Sequence, residues 1–364
     1  METAALFCLP YAGGDELAYW RWADLLAGTA RVHAIGREGA PSVDRVCDRI
    51  AAEDGPFAIY GHSMGARLGF EVARELRRRG APLPVRFYVG GAHPPDVREP
   101  IARVAHIDIG EFIDQLVTRA DTPAAVRDDP DIRAAVEPAL AADLAWLQAY
   151  RFRPEPPLPV PIVAFAATDD HEVPRDLMLG WARHTSAWFR HHTLAAGHLF
   201  VGTHAADVTA LVERSGDTGT APPGYDEVHL WRVEPSTMDK AERLVLERYP
   251  SGTAGSRVVT AAGGGTVLVA IGPSVRAVAV ERVRPIDDLD ALCARLDPDE
   301  RAAVLGEPEE DQVRAALQAL TAHAVRAAGA VRRLDLGNAV AAIATAGAPD
   351  PVRIRYETTT GDAR

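Results

Sequence analysis

Five residues, Gly61-His62-Ser63-Met64-Gly65, constrain this chain more than any other stretch. They follow a short apolar run, Phe57-Ala58-Ile59-Tyr60, and precede a helical pattern from Leu68 to Leu76 that closes in basic residues and Gly80. A serine between glycines at a strand-to-helix turn is a nucleophile elbow. The turn is sharp and its backbone presses on neighbouring elements, leaving no room for Cβ atoms on either side. It lifts the serine hydroxyl to the carboxyl edge of a sheet. The helix that follows aims free N–H groups and the positive end of its dipole at charge developing on a substrate.

A chain of 364 residues, 47% hydrophobic, has the size of two domains and enough apolar residues for a sizeable core. No apolar run reaches the roughly 20 residues of a membrane span. Met1-Glu2-Thr3 has no basic region and leads straight into a strand, so no leader is expected. Cys8, Cys47 and Cys293 have no metal or redox spacing, which fits a reducing cytoplasm. A formal net charge of −12 argues against nucleic acid as a partner.

Ala4 to Leu9 is an apolar run suited to a buried parallel strand, and Pro10-Tyr11-Ala12-Gly13-Gly14 follows it as a loop. Glu16 to Leu26 reads as a helix, with Tyr19, Trp20 and Trp22 as core residues. Val32 to Ile35 is the next strand, Val43 to Ala52 a helix, and Val85 to Gly90 a strand after the elbow helix. Strand and helix alternating at this spacing give an α/β fold with a doubly wound parallel sheet. From about 92 to 159 the rhythm breaks. Ile109, Phe112, Ile113, Leu116 and Val117 share one helical face, and Ile132, Val136, Leu140, Leu144 and Leu147 share another with Pro138 as a kink. This insertion stands where α/β-hydrolases carry a lid.

Strand character returns at Pro161 to Ala166, followed by Thr168-Asp169-Asp170-His171. A carboxylate just beyond this strand is where the α/β-hydrolase fold sets its acid. Asp170 is the choice, three residues before a Val-Pro that starts a helix, with Asp169 the fallback or a helix cap. Trp188 to Leu194 is a strand that leads into Ala195-Ala196-Gly197-His198. The order Ser63, Asp170, His198 is the Ser…Asp…His order of α/β-hydrolases. In that reading His198 takes the Ser63 proton, Asp170 fixes its tautomer, and Ser63 carries the acyl group. The backbone N–H of Met64, with that of Ala12 or Tyr11, would form the oxyanion hole. His62 is expected to bond locally. His171, His184, His191, His192 and His204 are expected to be mostly exposed, and neither a metal nor a cofactor is expected.

Leu6 to Gly14, Gly36-Arg37-Glu38, Gly61 to Gly65 and Gly197-His198-Leu199-Phe200 together resemble the type II (editing) thioesterases of polyketide and non-ribosomal peptide pathways. Pro138, Leu140, Asp143, Tyr150 and Arg151 resemble that family's lid. The stretch between Gly36 and Phe57 is shorter than in that family. The resemblance spans about residues 4–214 and implies hydrolysis of acyl thioesters on the phosphopantetheine arm of a carrier protein. The same machinery with another acceptor would make an acyltransferase or cyclase. A non-catalytic carrier-protein adaptor would have no need of all three site residues.

Residues 215–225 are polar and rich in Gly and Pro, a linker between a domain at 1–214 and a smaller α+β domain at 226–364. In the latter, 228–233, 256–260, 266–271 and 276–280 read as strands. Residues 238–249, 289–296 and 312–328 read as helices, and a flexible tail is expected from about 357. Val228 to Arg232, Val278 to Pro285 and Asp297 to Leu305 resemble a shortened phosphopantetheinyl transferase. That family's second metal carboxylate falls on Ala279, leaving Glu281 alone. Its Ser-His-Ser falls on Thr260-Ala261-Ala262, and its Trp-x-x-Lys-Glu-Ala on Leu320 to Val325. The resemblance implies a pseudoenzyme domain. An unrelated scaffold or dimerisation module is the other reading.

Overall fold

The computed structural model describes residues 4–360 apart from 37–38, 99–107, 120–123, 215–226, 235–237, 248, 250–252, 254–255, 264–265, 284–285, 287, 308, 336–338 and 347–352. The expected linker, parts of the expected lid, and Arg37-Glu38 therefore lie outside the described residues. The chain divides into two compact units, residues 1–186 with 192–218, and 219–364 with 187–191.

In the first unit β1 (Ala4–Leu9), β2 (Ala30–Ala34), β3 (Phe57–His62), β4 (Arg86–Gly90) and β5 (Ile162–Ala167) run parallel in the order β2-β1-β3-β4-β5. Every residue of β3 and β5 is buried, as is all of β1 after Ala4, because helices cover both faces. β6 (Trp188–Leu194) brings its carboxyl end beside that of β5: Thr168 N donates to Leu194 O at 2.9 Å and Asp169 N to Ala196 O at 3.0 Å. The loops carrying Asp170 and His198 thus leave the same edge.

The helices are α1 (Trp22–Leu25), α2 (Val43–Ala51), α3 (Met64–Arg78), α4 (Ile109–Arg119), α5 (Ala125–Asp128), α6 (Pro130–Ala149), α7 (Arg175–Met178), α8 (Phe200–Thr203) and α9 (Ala205–Arg214). The helix expected over 16–26 is instead a 3₁₀ turn, Glu16–Tyr19, followed by α1. The tighter turn brings residues three apart to one side. Tyr19 and Trp22 are buried in edge-to-face contact at 5.2 Å, whereas Trp20, expected in the core, is 70% exposed. Helix α6 starts on an Asp129 cap with Pro130 in its first turn and runs on through Pro138.

His184, His191 and His192 are buried, not exposed. His184 lies against the rings of Phe70 and Trp181, with Asp96 Oδ1 2.9 Å from its Nε2. The alternation of β6 turns His191 inward, and His192 stacks on Phe165 at 5.6 Å. Imidazole has enough apolar body to pack there, which residue type alone does not reveal.

The second unit holds β7 (Glu227–Glu234), α10 (Met238–Leu246), β8 (Arg257–Gly263), β9 (Thr266–Gly272), β10 (Val275–Arg282), α11 (Leu289–Cys293), α12 (Pro298–Gly306), α13 (Glu309–Arg326), β11 (Ala330–Asp335), β12 (Ala339–Thr345) and β13 (Arg353–Thr360). β13 pairs parallel with β7, which pairs antiparallel with β9, and β9 with β8. A three-stranded antiparallel sheet runs β10-β12-β11. The stretch from 357 expected to be a flexible tail is strand to Thr360. A run of β-branched threonines supplies β-propensity, and the neighbouring strand satisfies its backbone groups. Trp231, Val233, Val245, Tyr249, Val267, Val269 and Ile271 form one core of this unit. Among the described residues no helix is long and apolar enough to cross a membrane.

Candidate active site

Ser63 caps the amino end of α3 and has φ 53° and ψ −119°, the one described non-glycine residue with positive φ. Such a conformation costs on the order of 1–3 kcal/mol and persists only where its surroundings enforce it. Ser63 N donates to Gly90 O on the neighbouring strand at 2.8 Å. A Cβ at Gly61 would lie 2.4 Å from Ala66 Cα, and one at Gly65 2.3 Å from Leu9 O. The closeness of α3 to β1 and β3 leaves these two positions to glycine.

Asp170 and His198, from loops 28 residues apart in sequence, meet: His198 Nδ1 is 2.8 Å from Asp170 Oδ2, and both residues are buried. The other carboxyl oxygen, Oδ1, accepts from Glu172 N at 2.8 Å and Val173 N at 2.9 Å. Burial by itself would push the Asp170 carboxyl up. The His198 hydrogen bond, the charge of that imidazole and the two backbone donors outweigh it and hold the group below the usual aspartate range. A carboxylate fixed this way keeps the His198 proton on Nδ1 and leaves the Nε2 lone pair open. Asp169, the fallback acid, is exposed, and its backbone N–H goes to Ala196 O.

His62 does not bond only locally. Its Nε2 lies 2.8 Å from the carbonyl oxygen of His198, 136 residues away, and the two rings are 5.5 Å apart. Met64 opens α3, so its N–H is among the four that no carbonyl within the helix can accept. Its side chain is buried with Ile113, Leu140, Leu144 and Leu147 from α4 and α6, and Ala12 packs on the same cluster. Both expected oxyanion residues therefore border the helical insertion. Tyr11, the alternative to Ala12, gives its carbonyl to Gly14 N at 2.9 Å.

Asp143 is a site neighbour that sequence reasoning left without a role. It is fully buried on α6, and its Oδ2 accepts from Gly13 N at 2.8 Å, tying the insertion to the loop after β1. The signal was present: an acidic residue inside the apolar stripe Leu140, Leu144, Leu147 must find a buried donor. Tyr150, at the end of α6, donates to Glu71 Oε1 at 2.8 Å and lies under the Arg67 guanidinium at 4.7 Å. A cavity of about 390 Å³ beside Met64 is bounded by the apolar Leu9, Ile35 and Leu68 and by the charged Glu16, Arg45 and Arg49.

The model of the thioesterase domain family matches residues 4–217. The gramicidin S biosynthesis protein GrsT of Aneurinibacillus migulanus is 31% identical over 212 residues, covering 54% of this chain and 82% of that protein. Among solved structures, the RedJ thioesterase from the prodiginine pathway of Streptomyces coelicolor matches with a TM-score of 0.54 at 27% identity, over 58% of this chain and 85% of its own. The type II thioesterase BorB from the borrelidin biosynthetic cluster matches at 0.52 and 27% identity, over 58% of this chain and 92% of its own.

Proposed function

The chain belongs to the thioesterase domain family, and from that premise we propose that it removes acyl groups from the phosphopantetheine arm of carrier proteins in the cytoplasm, as an editing thioesterase. It is a thioester hydrolase. The observation that carries the mechanism is the 2.8 Å contact between His198 Nδ1 and Asp170 Oδ2, below an elbow that holds Ser63 at positive φ.

In this reading His198 Nε2 takes the proton of the Ser63 hydroxyl as Oγ attacks the thioester carbonyl. The N–H of Met64, with that of Ala12 or Tyr11, receives the oxyanion. Collapse of the tetrahedral intermediate expels the pantetheine sulfur, a good leaving group, which takes the proton from His198 as it departs and leaves the imidazole neutral again. Water, deprotonated by His198, then releases the acid from acyl-Ser63. The cavity beside Met64 offers the acyl chain a place. Residues 226–364 would contribute no phosphopantetheinyl transfer, since β10 carries Glu281 with Ala279, not a second carboxylate, two residues before it.

The test incubates the protein and Ser63→Ala with acyl-loaded carrier proteins and follows their mass. Loss of the acyl group as free acid, only with Ser63 present, is expected. Acyl transfer to an added amine or thiol, or tight binding with the acyl load unchanged, would defeat the reading. Apo carrier protein given coenzyme A and Mg²⁺ should gain no mass.

A further inference from the structure

The site contains a second histidine with no part in the proton transfers above, and its bonds are unusual for a residue beside the nucleophile. His62 is fully buried at the end of β3, immediately before Ser63. A carbonyl oxygen can only accept, so the 2.8 Å contact to His198 O requires the proton on His62 Nε2. Nδ1 is then bare, and the buried hydroxyl of Tyr60, two residues back on the same strand, points to it at 3.3 Å. The pair fits because Gly90, on the adjacent strand, has no side chain. A Cβ there would lie 2.4 Å from the Tyr60 oxygen and 2.7 Å from His62 Nδ1. Phe200 closes the remaining side with its ring edge-on at 4.7 Å.

Among the described residues, three hydrogen bonds tie the loop after β6 to the sheet edge and the elbow. Ala196 O is held by Asp169 N, and the His198 ring by Asp170. These two reach the loop from the strand that carries the acid. The third, His62 to His198 O, comes from the elbow itself. We propose that His62 is a positioning residue, whose Nε2–H, fixed by the acceptor-only carbonyl of His198 and accommodated by the Tyr60 hydroxyl turning to donate to Nδ1, binds the main chain of the base to the turn that carries the nucleophile and so sets the spacing of Ser63 and His198. This rests on the triad reading given above.

The electrostatics of the position agree. Among the described residues the ionisable groups facing His62 are Tyr60 from β3, Tyr11 from the loop after β1, Asp170 from the loop after β5 and His198 from the loop after β6. Burial, then the charge of His198, push the His62 imidazole down to about 3, against smaller opposing effects of the His198 carbonyl and Asp170. An uncharged ring donates to the carbonyl without repelling the cation that His198 becomes during reaction.

The experiment has one arm that needs no turnover. In ¹⁵N-histidine-labelled full-length protein, His62 should show a protonated Nε2 and a bare Nδ1, unchanged between about pH 5 and pH 9. A protonated Nδ1 would overturn the proposal, whatever the enzyme's substrate. The second arm follows hydrolysis of an acyl-N-acetylcysteamine thioester. His62→Leu should lower kcat about 10- to 100-fold with KM unchanged, the scale of an ångström-sized misplacement of a catalytic group. His62→Gln, whose amide nitrogen reaches the position of Nε2, should regain most of that loss. Equal losses in the Leu and Gln variants, full activity in His62→Leu, or a loss confined to KM would each sink the idea. If His62→Leu does not fold, Tyr60→Phe decides. It should keep the proton on His62 Nε2, since the His198 carbonyl still demands it, and hold kcat within about tenfold of wild type, whereas a proton moved to Nδ1 with kcat unchanged would count against the proposal. A wild-type protein inert toward all thioesters would refute the proposed function yet leave the tautomer result standing.

Discussion

Replacing Asp170 by asparagine tests the site most directly, because the structure dictates which way the new amide must face. Oδ1 of Asp170 accepts two backbone N–H groups, from Glu172 and Val173, while Oδ2 faces His198 Nδ1. An asparagine has only one oxygen. Turned to the backbone pair, it presents its NH₂ to His198, which must then accept at Nδ1 and carry its proton on Nε2, where it cannot take one from Ser63. Turned the other way, the buried Val173 N–H and the half-buried Glu172 N–H face an NH₂. A buried unsatisfied donor costs about 1–3 kcal/mol, so the Val173 N–H alone makes the unproductive tautomer win by at least about that much. Loss of the carboxylate also removes the partner of the His198 cation. The same exchange in unrelated Ser-His-Asp enzymes lowers kcat by about 10⁴, and a fall of 10³–10⁴, about 4–5.5 kcal/mol in barrier, is expected here. The assay is single-turnover release of acid from an acyl carrier-protein thioester, with circular dichroism to establish that the variant is folded. A fall of less than about tenfold, or a larger fall in Asp169→Asn, would refute the argument and move the acid's role to Asp169.

Two further outcomes follow from the same structure. Gly65→Ala sets a Cβ 2.3 Å from Leu9 O and 2.5 Å from Pro10 O, both main-chain atoms, so β1 or the elbow must shift. Destabilisation of at least about 1–3 kcal/mol with loss of turnover is expected, and wild-type urea unfolding with wild-type rate would contradict the close approach. Asp96 concerns acid stability. Burial would raise its carboxyl, but the His184 bond and the Arg183 guanidinium hold it well below the usual aspartate range. A carboxyl depressed by folding contributes stability that is complete above its unfolded pKa of about 3.9 and is lost as pH falls towards the folded value. Asp96→Asn should flatten the fall in urea midpoint below about pH 4; equal slopes in the two proteins would exclude Asp96 as its source.

What could be read from sequence was what repeats along the chain. The strands at Ala4–Leu9, Phe57–His62 and Ile162–Ala167 are apolar on both faces and bounded by turns, so their place in a parallel sheet was legible. Ser63, Asp170 and His198 stood out because each follows a strand, and such loops leave a parallel sheet at one edge. Contacts across the sheet leave no such trace. Nothing in Gly61-His62-Ser63 marks the carbonyl, 136 residues on, that His62 reaches. Neither does Asp143 name Gly13 as its donor. In the second unit, β12 was missed because Ala339-Val340-Ala341-Ala342-Ile343-Ala344-Thr345 neither alternates nor avoids good helix formers. Every residue of it is buried, and Ala342 and Ala344 lie in one cluster with Ala322 and Val325 of α13. Small side chains let a helix pack closely on that face, a tertiary demand that overrides propensity.

The helical insertion bears on chemistry because α4 and α6, besides packing on each other, enclose the side chain of Met64 and touch Ala12, the two expected oxyanion residues. Met64 has its N–H at the head of α3 and its side chain in the cluster built by α4 and α6. Lifting α6 away would expose that side chain, at about 1.5–3 kcal/mol, and break the Asp143 bond to Gly13, a charge-assisted contact of about 1.5–3 kcal/mol. Together these oppose full opening by about 3–6 kcal/mol before any other contact is counted. If Met64 and Ala12 supply the oxyanion donors, the insertion is part of the scaffold that aims them. An acyl chain that shifts α6 to make room for itself also disturbs the loop holding Ala12 and the burial of Met64. Fit in the cavity and stabilisation of the transition state thus act through the same few contacts, and acyl-chain selectivity should appear in kcat as well as in KM.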